Sequence, residues 1–551
     1  MVCKCSFEEA VSFSLESYGC KHIKVAKQSG FVTSWFFSLD FKNYLWDFEL
    51  ISTTNDLSTL PSLRWIRPHK VWGWPHKVWG WPHINSAGII CFEDGQGIEF
   101  EPKDIAGVIT WVLDEGTNLL KKYWNMGKAK RKREFFDELD GYLKSMGVPE
   151  VLQIDNYGND DVDIAYAEVE YPKIGKERGV VRRVFRPSLS YVPSRNSCEK
   201  LVVMTISYKK IPPITGQVNE SWWTKIYDQL SREQLLLLEG KRCRGVIFRV
   251  KNSYGYCEFL IHWGQGKYNN KRWLGRLYRI QFASWEYVTK RTGIPASRQR
   301  IAVVGVGAVG SRIAEMALLS GASDIYLVDD DKFSADNMGR HLLGLDSVGK
   351  YKVDELSIHF KSRIPGVNIH PFRVRAQKYF SQDNNDYDII FLATGNSSLE
   401  KGIILRAFKE KWNSVLVSVS VEAYGVGGQI IIMNTNIKGC LYCLYIDNET
   451  NTLMPNLQGG FIEPGQKISK QLTGCGAFTP FSALNASKTA MLAYEYAVSK
   501  KYGYLRWAGN NDIAMSEGII LTPAYFSIYN ENTPSFLHSE QIAKKGCPCC
   551  G

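Results

Sequence analysis

The sequence predicts a multidomain chain that combines α+β and α/β parts: an α+β domain over residues 1–150, a β-rich linker domain over 151–290, and an α/β domain over 291–551. Three observations carry this. The 551 residues suit three or four domains at about 150 residues each, and a hydrophobic content of 44% supplies several cores. The middle of the chain is rich in alternating Val, Ile, Tyr and Phe, the period of half-buried strands. From RIAVVGVG at 300 the texture changes to apolar strand, glycine turn and amphipathic helix.

Element by element, FEEAVSFSLESYG spaces its apolar residues as a helix, and FVTSWFFSLDF and YLWDFELIS read as strands. A heptapeptide, PHKVWGW, is then written twice over residues 68–81. An inserted copy lengthens a loop at little thermodynamic cost, so the duplication reads as a tandem expansion leading into PHINSAGIICF. DIAGVITWVLDEGTNLLKKYW predicts a helix, and REFFDELDGYLKSMG keeps helical spacing. DIAYAEVEY, LVVMTISY, GVIFRV and YGYCEFLIHW predict strands, with no chemical motif among them.

Bulk composition narrows the function classes. The net charge of +11 raises nucleic acid as a ligand, but KKYWNMGKAKRKRE (121–134) alone holds seven Lys or Arg against one Glu. A solvated linker or helix face accounts for such a run, an acidic protein partner would also suit it, and nucleic acid is not expected. No early segment has the form of a secretory signal, and no apolar run is long enough to span a membrane, so a cytoplasmic location is expected. The thirteen cysteines include pairs at metal-ligand spacing, CLYC and CPCC, which favours zinc and reactive thiols in a reducing compartment over disulfides.

IAVVGVGAVGSRIAEMALLSG runs from an apolar strand through Gly305, Gly307 and Gly310 into a helix. Such glycines let backbone N–H groups approach phosphates at a helix N-terminus. Asp329, 19 residues after Gly310, ends the next strand where an acid can bind a ribose hydroxyl. An NAD dehydrogenase would share these features. The continuation DDDKFSADNMGRHLLGLDSVGKYKVDEL separates the readings, because it resembles the signature of the ThiF/MoeB and ubiquitin-activating adenylyltransferases, whose nucleotide part is Rossmann-like. Asp329 and Asp331 match its acids, Asn337 and Arg340 its Asn-x-x-Arg helix, Gly349 and Lys352 its Gly-x-x-Lys segment. A carboxylate attacking ATP at the α-phosphate builds negative charge, which Arg340 and Lys352 would stabilise. The family usually ends its next strand in Asp-Asn; here Gly395-Asn396 stands in DYDIIFLATGNSSLEK, so the acid that helps hold Mg²⁺ is missing.

GCLYCLYID and KKGCPCCG each supply half of a tetrahedral thiolate site. The same family carries one CxxC before a loop and another near its end, which implies Cys440, Cys443, Cys547 and Cys550 as Zn²⁺ ligands and Cys549 as the spare. Between the halves, KQLTGCGAFTPFSALNASKTAMLAYEYA resembles the family's loop-to-helix element. In the conjugating branch the loop cysteine, here Cys475, takes the acyl group from the adenylate; packing beneath the helix is the alternative.

WPHINSAGIICF resembles the core motif of ubiquitin-conjugating enzymes, His-Pro-Asn-Ile, three residues, Gly, two residues, Cys. Pro82, Ile84, Gly88 and Cys91 fall into register; Trp81 replaces the motif's His, and His83 its Asn. An imidazole can donate the same hydrogen bond as that Asn, or act as a general base. The bland alternatives are a buried strand cysteine and a satisfied strand-end histidine.

Together these motifs make the chain similar to bacterial fusions of a ubiquitin-conjugating-type domain with a ThiF-type activating domain, notably the transferases of CBASS antiphage systems. The resemblance implies that ATP adenylates a partner's C-terminus, that Cys475 and then Cys91 carry the acyl group, and that a lysine of a target protein accepts it. It implies a cGAS/DncV-like nucleotidyltransferase as the partner, and a homodimer. A sulfur-carrier adenylyltransferase of cofactor biosynthesis, needing no Cys91, is the alternative; a protein holding nucleotide only as a structural ligand is a third.

Overall fold

The computed structural model describes residues 6–27, 32–41, 44–54, 56–68, 78–92, 99–154, 162–171, 179–186, 198–214, 218–240, 242–253, 255–263, 275–293, 297–364, 366–381, 385–447, 449–454, 457–471 and 477–551. The chain divides into two compact units, Met1–Phe282 and Ala283–Gly551.

The first unit opens on the helix Phe7–Tyr18, started by a Ser6–Glu9 capping box and stopped by Gly19 at φ 95°. Four antiparallel strands follow in chain order, Lys21–Lys27, Thr33–Phe41, Tyr44–Ser52 and Ser62–Pro68. Period-2 alternation puts Trp35 and Phe37, then Trp46, Phe48 and Leu50, on one buried face. Ile109, Val112, Leu113 and Leu120 of the helix Ile105–Asn125 close over them.

The run REFFDELDGYLKSMG forms two helices, Lys128–Asp137 and Leu139–Ser145, which meet at Glu138 (φ −119°, ψ 13°). Phe135, Phe136, Leu139 and Leu143 from these helices pack with Phe248, Phe259 and Ile261 of a seven-stranded closed barrel. The barrel strands are Glu150–Gln153, Val162–Glu170, Val180–Phe185, Cys198–Thr205, Cys243–Asn252, Gly255–His262 and Arg276–Phe282. Small and β-branched residues such as Ala165, Ala167, Val169 and Val203 fill its interior.

In the second unit an eight-stranded sheet runs Asn368–Phe372, Ala322–Val328, Ser297–Val304, Ile389–Leu392, Val415–Val421, Gly427–Met433, Gly503–Ala508, Ser535–His538. The first five strands pair in parallel and the last three antiparallel. Helices Ala308–Leu319, Lys352–Arg363 and Ala483–Val498 cover one face, Ala376–Phe380 and Ser397–Glu410 the other. The central parallel strands, with Ile301, Ala302, Val303 and Val304, Ile389–Leu392, and Val415, Leu416 and Val417, are buried on both faces, which explains their unbroken apolar runs; the edge strand Asn368–Phe372 is only partly buried. Strand order reverses between Ser297–Val304 and Ile389–Leu392, and this switch point opens a crevice at the strands' carboxyl ends. No helix among the described residues is long and apolar enough to cross a membrane.

Candidate functional sites

The glycine loop is built for close approach. Gly305 sits at φ 81°, and a β-carbon there would meet the Ala393 carbonyl oxygen at 2.7 Å. A β-carbon on Gly310 would lie 1.9 Å from the Gly305 carbonyl oxygen, so only glycine allows the helix Ala308–Leu319 to start this near the strand end. The loop borders a cavity of about 410 Å³, to which Gly307, Asn337, Arg340, Thr394, Asn396 and Glu400 contribute.

Arg340 is held from one side by the Thr479 carbonyl (2.8 Å from Nη1), with its guanidinium over the Phe481 ring at 4.4 Å. Asn337 Oδ1 accepts from the Ser334 N–H at 3.1 Å and starts a single helical turn. Asn396 caps the helix Ser397–Glu410 by accepting from the Leu399 N–H at 3.1 Å. Asp329 does not line the cavity; its two carboxylate oxygens accept from the Val306 N–H (2.9 Å) and the Asp331 N–H (2.8 Å), tying the glycine loop to the next strand. Burial raises its pKa, against the opposing pull of those N–H groups. Lys352 is buried and ion-paired with exposed Asp331 at 2.9 Å. The structure thus brings Gly307, Asn337, Arg340 and Asn396 into one cavity and sets Asp329, Asp331 and Lys352 into a linked acid–base cluster behind the loop.

Two residues the motifs did not single out belong to this site. Glu400, buried, accepts from the Thr394 N–H (3.0 Å) and hydroxyl (2.7 Å) and from the Ser418 hydroxyl, and burial raises its pKa. His341 accepts from the Leu343 N–H at Nδ1 (3.0 Å), so the neutral ring carries its proton on Nε2 and donates it to the Val306 carbonyl (2.7 Å). Burial lowers its pKa to about 4, so it stays neutral and pins the glycine loop. Its folded pKa lies below the unfolded value, so this stabilisation is present above about pH 6.5 and is lost as pH falls toward 4. His341→Gln, which can keep both hydrogen bonds without titrating, is expected to flatten the stability loss of the second unit between pH 6.5 and 4 in denaturant titrations.

The carboxylates Asp329, Asp330 and Asp331 lie within 4.8 Å of one another, yet each is engaged, Asp329 by backbone N–H groups, Asp330 by Arg375 and Asp331 by Lys352. With Gly395 in place of an acid, these residues do not fit a dedicated Mg²⁺ cage.

The four paired cysteines behave differently. Sγ–Sγ separations are 4.0 Å (Cys440–Cys443), 3.6 Å (Cys440–Cys547) and 3.5 Å (Cys443–Cys550). Thiolates bound at about 2.3 Å around one tetrahedral ion would stand about 3.8 Å apart, whereas a disulfide needs about 2.05 Å. The Gly439 N–H donates to Cys550 Sγ at 3.3 Å, a contact suited to a thiolate. Cys549 is not one of the four sulfurs that lie within 4.8 Å of one another; its own sulfur is 4.0 Å from the Ile404 carbonyl. The donor set fits a closed four-thiolate metal site. Cys475 lies outside the described residues.

In the first unit, Pro82–Cys91 docks along the strand Ser62–Pro68. The Trp65 N–H donates to the Gly88 carbonyl and the Ile90 N–H to the Leu63 carbonyl (2.9 and 2.8 Å). Gly88 adopts φ 87°, and a β-carbon there would meet the Trp65 carbonyl at 2.7 Å. Asn85 Oδ1 accepts from the N–H groups of Ala87 and Ile89, shaping the turn. Trp81, in the motif's first position, is buried against Trp65 with Arg131 over its ring at 4.1 Å. Of the duplicated heptapeptides, residues 69–77 lie outside the described residues; Val78 and Trp81 are core. Cys91 is an exposed residue whose thiol is nevertheless partly shielded, and that shielding, with the charge of Glu138, raises its pKa. The Cys91 N–H donates to the His83 carbonyl at 2.7 Å.

The doubly wound sheet, its switch-point crevice and the glycine loop form a Rossmann-type α/β unit. Residues 284–499 match the ThiF family, so the C-terminal half of the chain carries a ThiF domain. Related proteins include the ATP-dependent ubiquitin transferase-like protein Cap2 of Escherichia coli (strain TW11681), 28% identical over 233 residues that cover 40% of this chain and 38% of that protein. Cap2 of Vibrio cholerae (serotype O1, El Tor Inaba N16961) is 26% identical over 226 residues, 38% of this chain and 36% of that one. The adenylyltransferase and sulfurtransferase UBA4 of Scheffersomyces stipitis is 28% identical over 171 residues, covering 30% of this chain and 38% of that protein. The chain therefore matches less than two fifths of the length of each of these relatives.

Proposed function

We propose that this protein is an ATP-dependent ubiquitin-like transferase of an antiphage signalling system. It activates the C-terminus of a partner protein, passes it through cysteine thioesters and joins it to a lysine of a target. The observation that carries the reading is the cavity in which Gly307, Asn337, Arg340 and Asn396 converge at the switch point of the sheet. ATP supplies the AMP that turns the partner's carboxylate into an acylating agent. The glycine loop and the N-terminus of Ala308–Leu319 receive phosphate through backbone N–H groups. Arg340, oriented by Thr479 and Phe481, supplies positive charge where the transition state gathers negative charge. Lys352 does so less directly, its charge shared with Asp331. Mg²⁺, which the resemblance also implies, would have to be supplied together with ATP.

In this reading Cys475 takes the acyl group from the adenylate and Cys91 receives it by transthioesterification, while Cys440, Cys443, Cys547 and Cys550 hold a structural Zn²⁺. The order of helix, four-stranded meander, Cys91 segment and helix within residues 1–150 supports a conjugating domain. Residues 151–290 act as a linker domain and 291–551 as the adenylation domain. In this reading the partner is a cGAS/DncV-like nucleotidyltransferase, as the resemblance of the motifs implies, and pairing of two chains belongs to the same reading. A cytoplasmic location accords with reduced cysteines.

Coexpression with such a nucleotidyltransferase tests this. The parent protein is expected to form partner conjugates, and Cys91→Ala to form none. Conjugation unchanged in Cys91→Ala would exclude the relay through Cys91; partner adenylation with no conjugate even in the parent protein would favour a sulfur-carrier type of chemistry. Arg340→Ala is expected to slow ATP–pyrophosphate exchange by about 100-fold with folding intact.

A further inference from the structure

We propose that Glu138 is a positioning residue for a Cys91–His83 pair: it holds the His83 imidazole so that Nδ1 takes up the proton of the amine that attacks an acyl group on Cys91. This rests on the reading of Cys91 as a thioester carrier.

Ile84 and Ile90 form an antiparallel bridge, and the Asn85 N–H donates to the Ile89 carbonyl on its inner side. The next pair outward is His83 and Cys91, joined by the 2.7 Å bond from the Cys91 N–H to the His83 carbonyl. His83 is thus the residue opposite Cys91 in the backbone pairing, and the charge of Glu138 acts on the Cys91 thiol. Its backbone is left-handed (φ 57°), a conformation uncommon for a non-glycine residue. Glu138 supplies the reason that it persists. One carboxylate oxygen accepts from the His83 backbone N–H at 2.7 Å, and the other pairs with Nε2 at 2.8 Å. A single carboxylate therefore clamps both the main chain and the ring.

The clamp has a chemical consequence. With Nε2–H donated to Glu138, the neutral ring keeps its lone pair on Nδ1, which has no partner among the described residues. The Tyr123 ring, stacked at 5.7 Å with Lys122 above it, limits rotation of the imidazole. A nucleophile, a base and a carboxylate that orients the base are the parts of an activated acyl-transfer site. In the step, the amine nitrogen bonds to the thioester carbon and the C–S bond breaks, its electron pair going to Cys91 Sγ. The proton lost by the amine sits on Nδ1, with Glu138 facing the imidazolium, and then passes to the thiolate or to solvent. Glu138 reaches this position because the helical run breaks there, between Lys128–Asp137 and Leu139–Ser145.

The test loads Cys91 without adenylation. The full-length protein is treated with a glycyl-glycine peptide thioester, with Cys91→Ala as the background for other thiols. Discharge to Nα-acetyl-lysine amide is followed by intact mass. Glu138→Gln cannot accept from both His83 donors, and it is expected to load within twofold of the parent but to discharge about 100-fold more slowly. Glu138→Asp should recover part of the rate. His83→Ala should match Glu138→Gln, and the double variant should be no slower than either single one. Discharge at the parent rate in folded Glu138→Gln, or additive losses in the double variant, would overturn the proposal. A second readout is the ring tautomer of His83 by ¹⁵N spectra of histidine-labelled protein, assigned with His83→Asn: Nε2–H in the parent, mixed in Glu138→Gln. If the parent takes up no more acyl group than Cys91→Ala, the carrier reading falls. The tautomer then decides whether Glu138 orients the ring, and an unchanged tautomer in Glu138→Gln refutes that part as well.

Discussion

Gly310→Ala is expected to weaken ATP binding by about 100-fold or more and to destabilise the second unit by about 3 kcal/mol. The added β-carbon would fall 1.9 Å from the Gly305 carbonyl oxygen, a contact with backbone that cannot rotate away. Relief requires the helix Ala308–Leu319 to move off the strand Ser297–Val304, against the buried packing of Ile313, Ala314 and Ala317 on Val303 and Leu327. The same movement would withdraw the loop N–H groups from the cavity and strain the bonds that Asp329 and His341 make to Val306. Calorimetric ATP titration and denaturant unfolding measure the two effects separately. Gly307→Ala is the internal control: its β-carbon would meet nothing within 4 Å, so it should leave the fold stable. Nearly parental binding in Gly310→Ala would mean that this loop does not receive the nucleotide.

Cys440→Ser is expected to reduce bound zinc from about one equivalent per chain to none, and to lower the melting temperature of the second unit by about 10 °C. Cys440 is fully buried and contacts two of the other three thiols. Loss of one thiolate leaves a charged ion short of a ligand in a largely buried site. The cluster also joins distant parts of the chain, since its two halves are separated by more than a hundred residues. Without the ion, the terminal segment loses its tie to the turn after Asn434 and to the helix Ser397–Glu410, against which Cys547 and Cys549 pack. Cys549→Ser should keep its zinc, because its sulfur lies outside the cluster. Elemental analysis and thermal unfolding check both variants. Full zinc content in Cys440→Ser would refute the site.

The parts legible in the sequence were those whose physics is local. Gly305 and Gly310 announce a tight turn because no other residue fits it, and apolar runs such as IAVVGV and DIIFLA announce strands buried on both faces. The CxxC spacing places two thiols within one turn of chain, so half of a candidate metal site is visible before any fold is known. Glu138, Glu400 and His341 were not legible. Each is an ordinary polar residue in a helical or loop context, and its importance comes from a partner that its local pattern does not announce: His83, 55 residues before Glu138, Val306, 35 before His341, and Ser418, 18 after Glu400. The run containing Glu138 reads as continuous helix because its periodicity persists through the break.

By itself, then, the sequence determined the strand–glycine–helix unit and the cysteine pairs, since each follows from spacing and backbone sterics over a few residues. Only the tertiary structure decided which acids remain available in the crevice and which thiols meet. It also decided which carboxylate faces the His83–Cys91 pair. Those outcomes depend on where separate strands and helices end in space, and on burial that forces each polar group to find a partner.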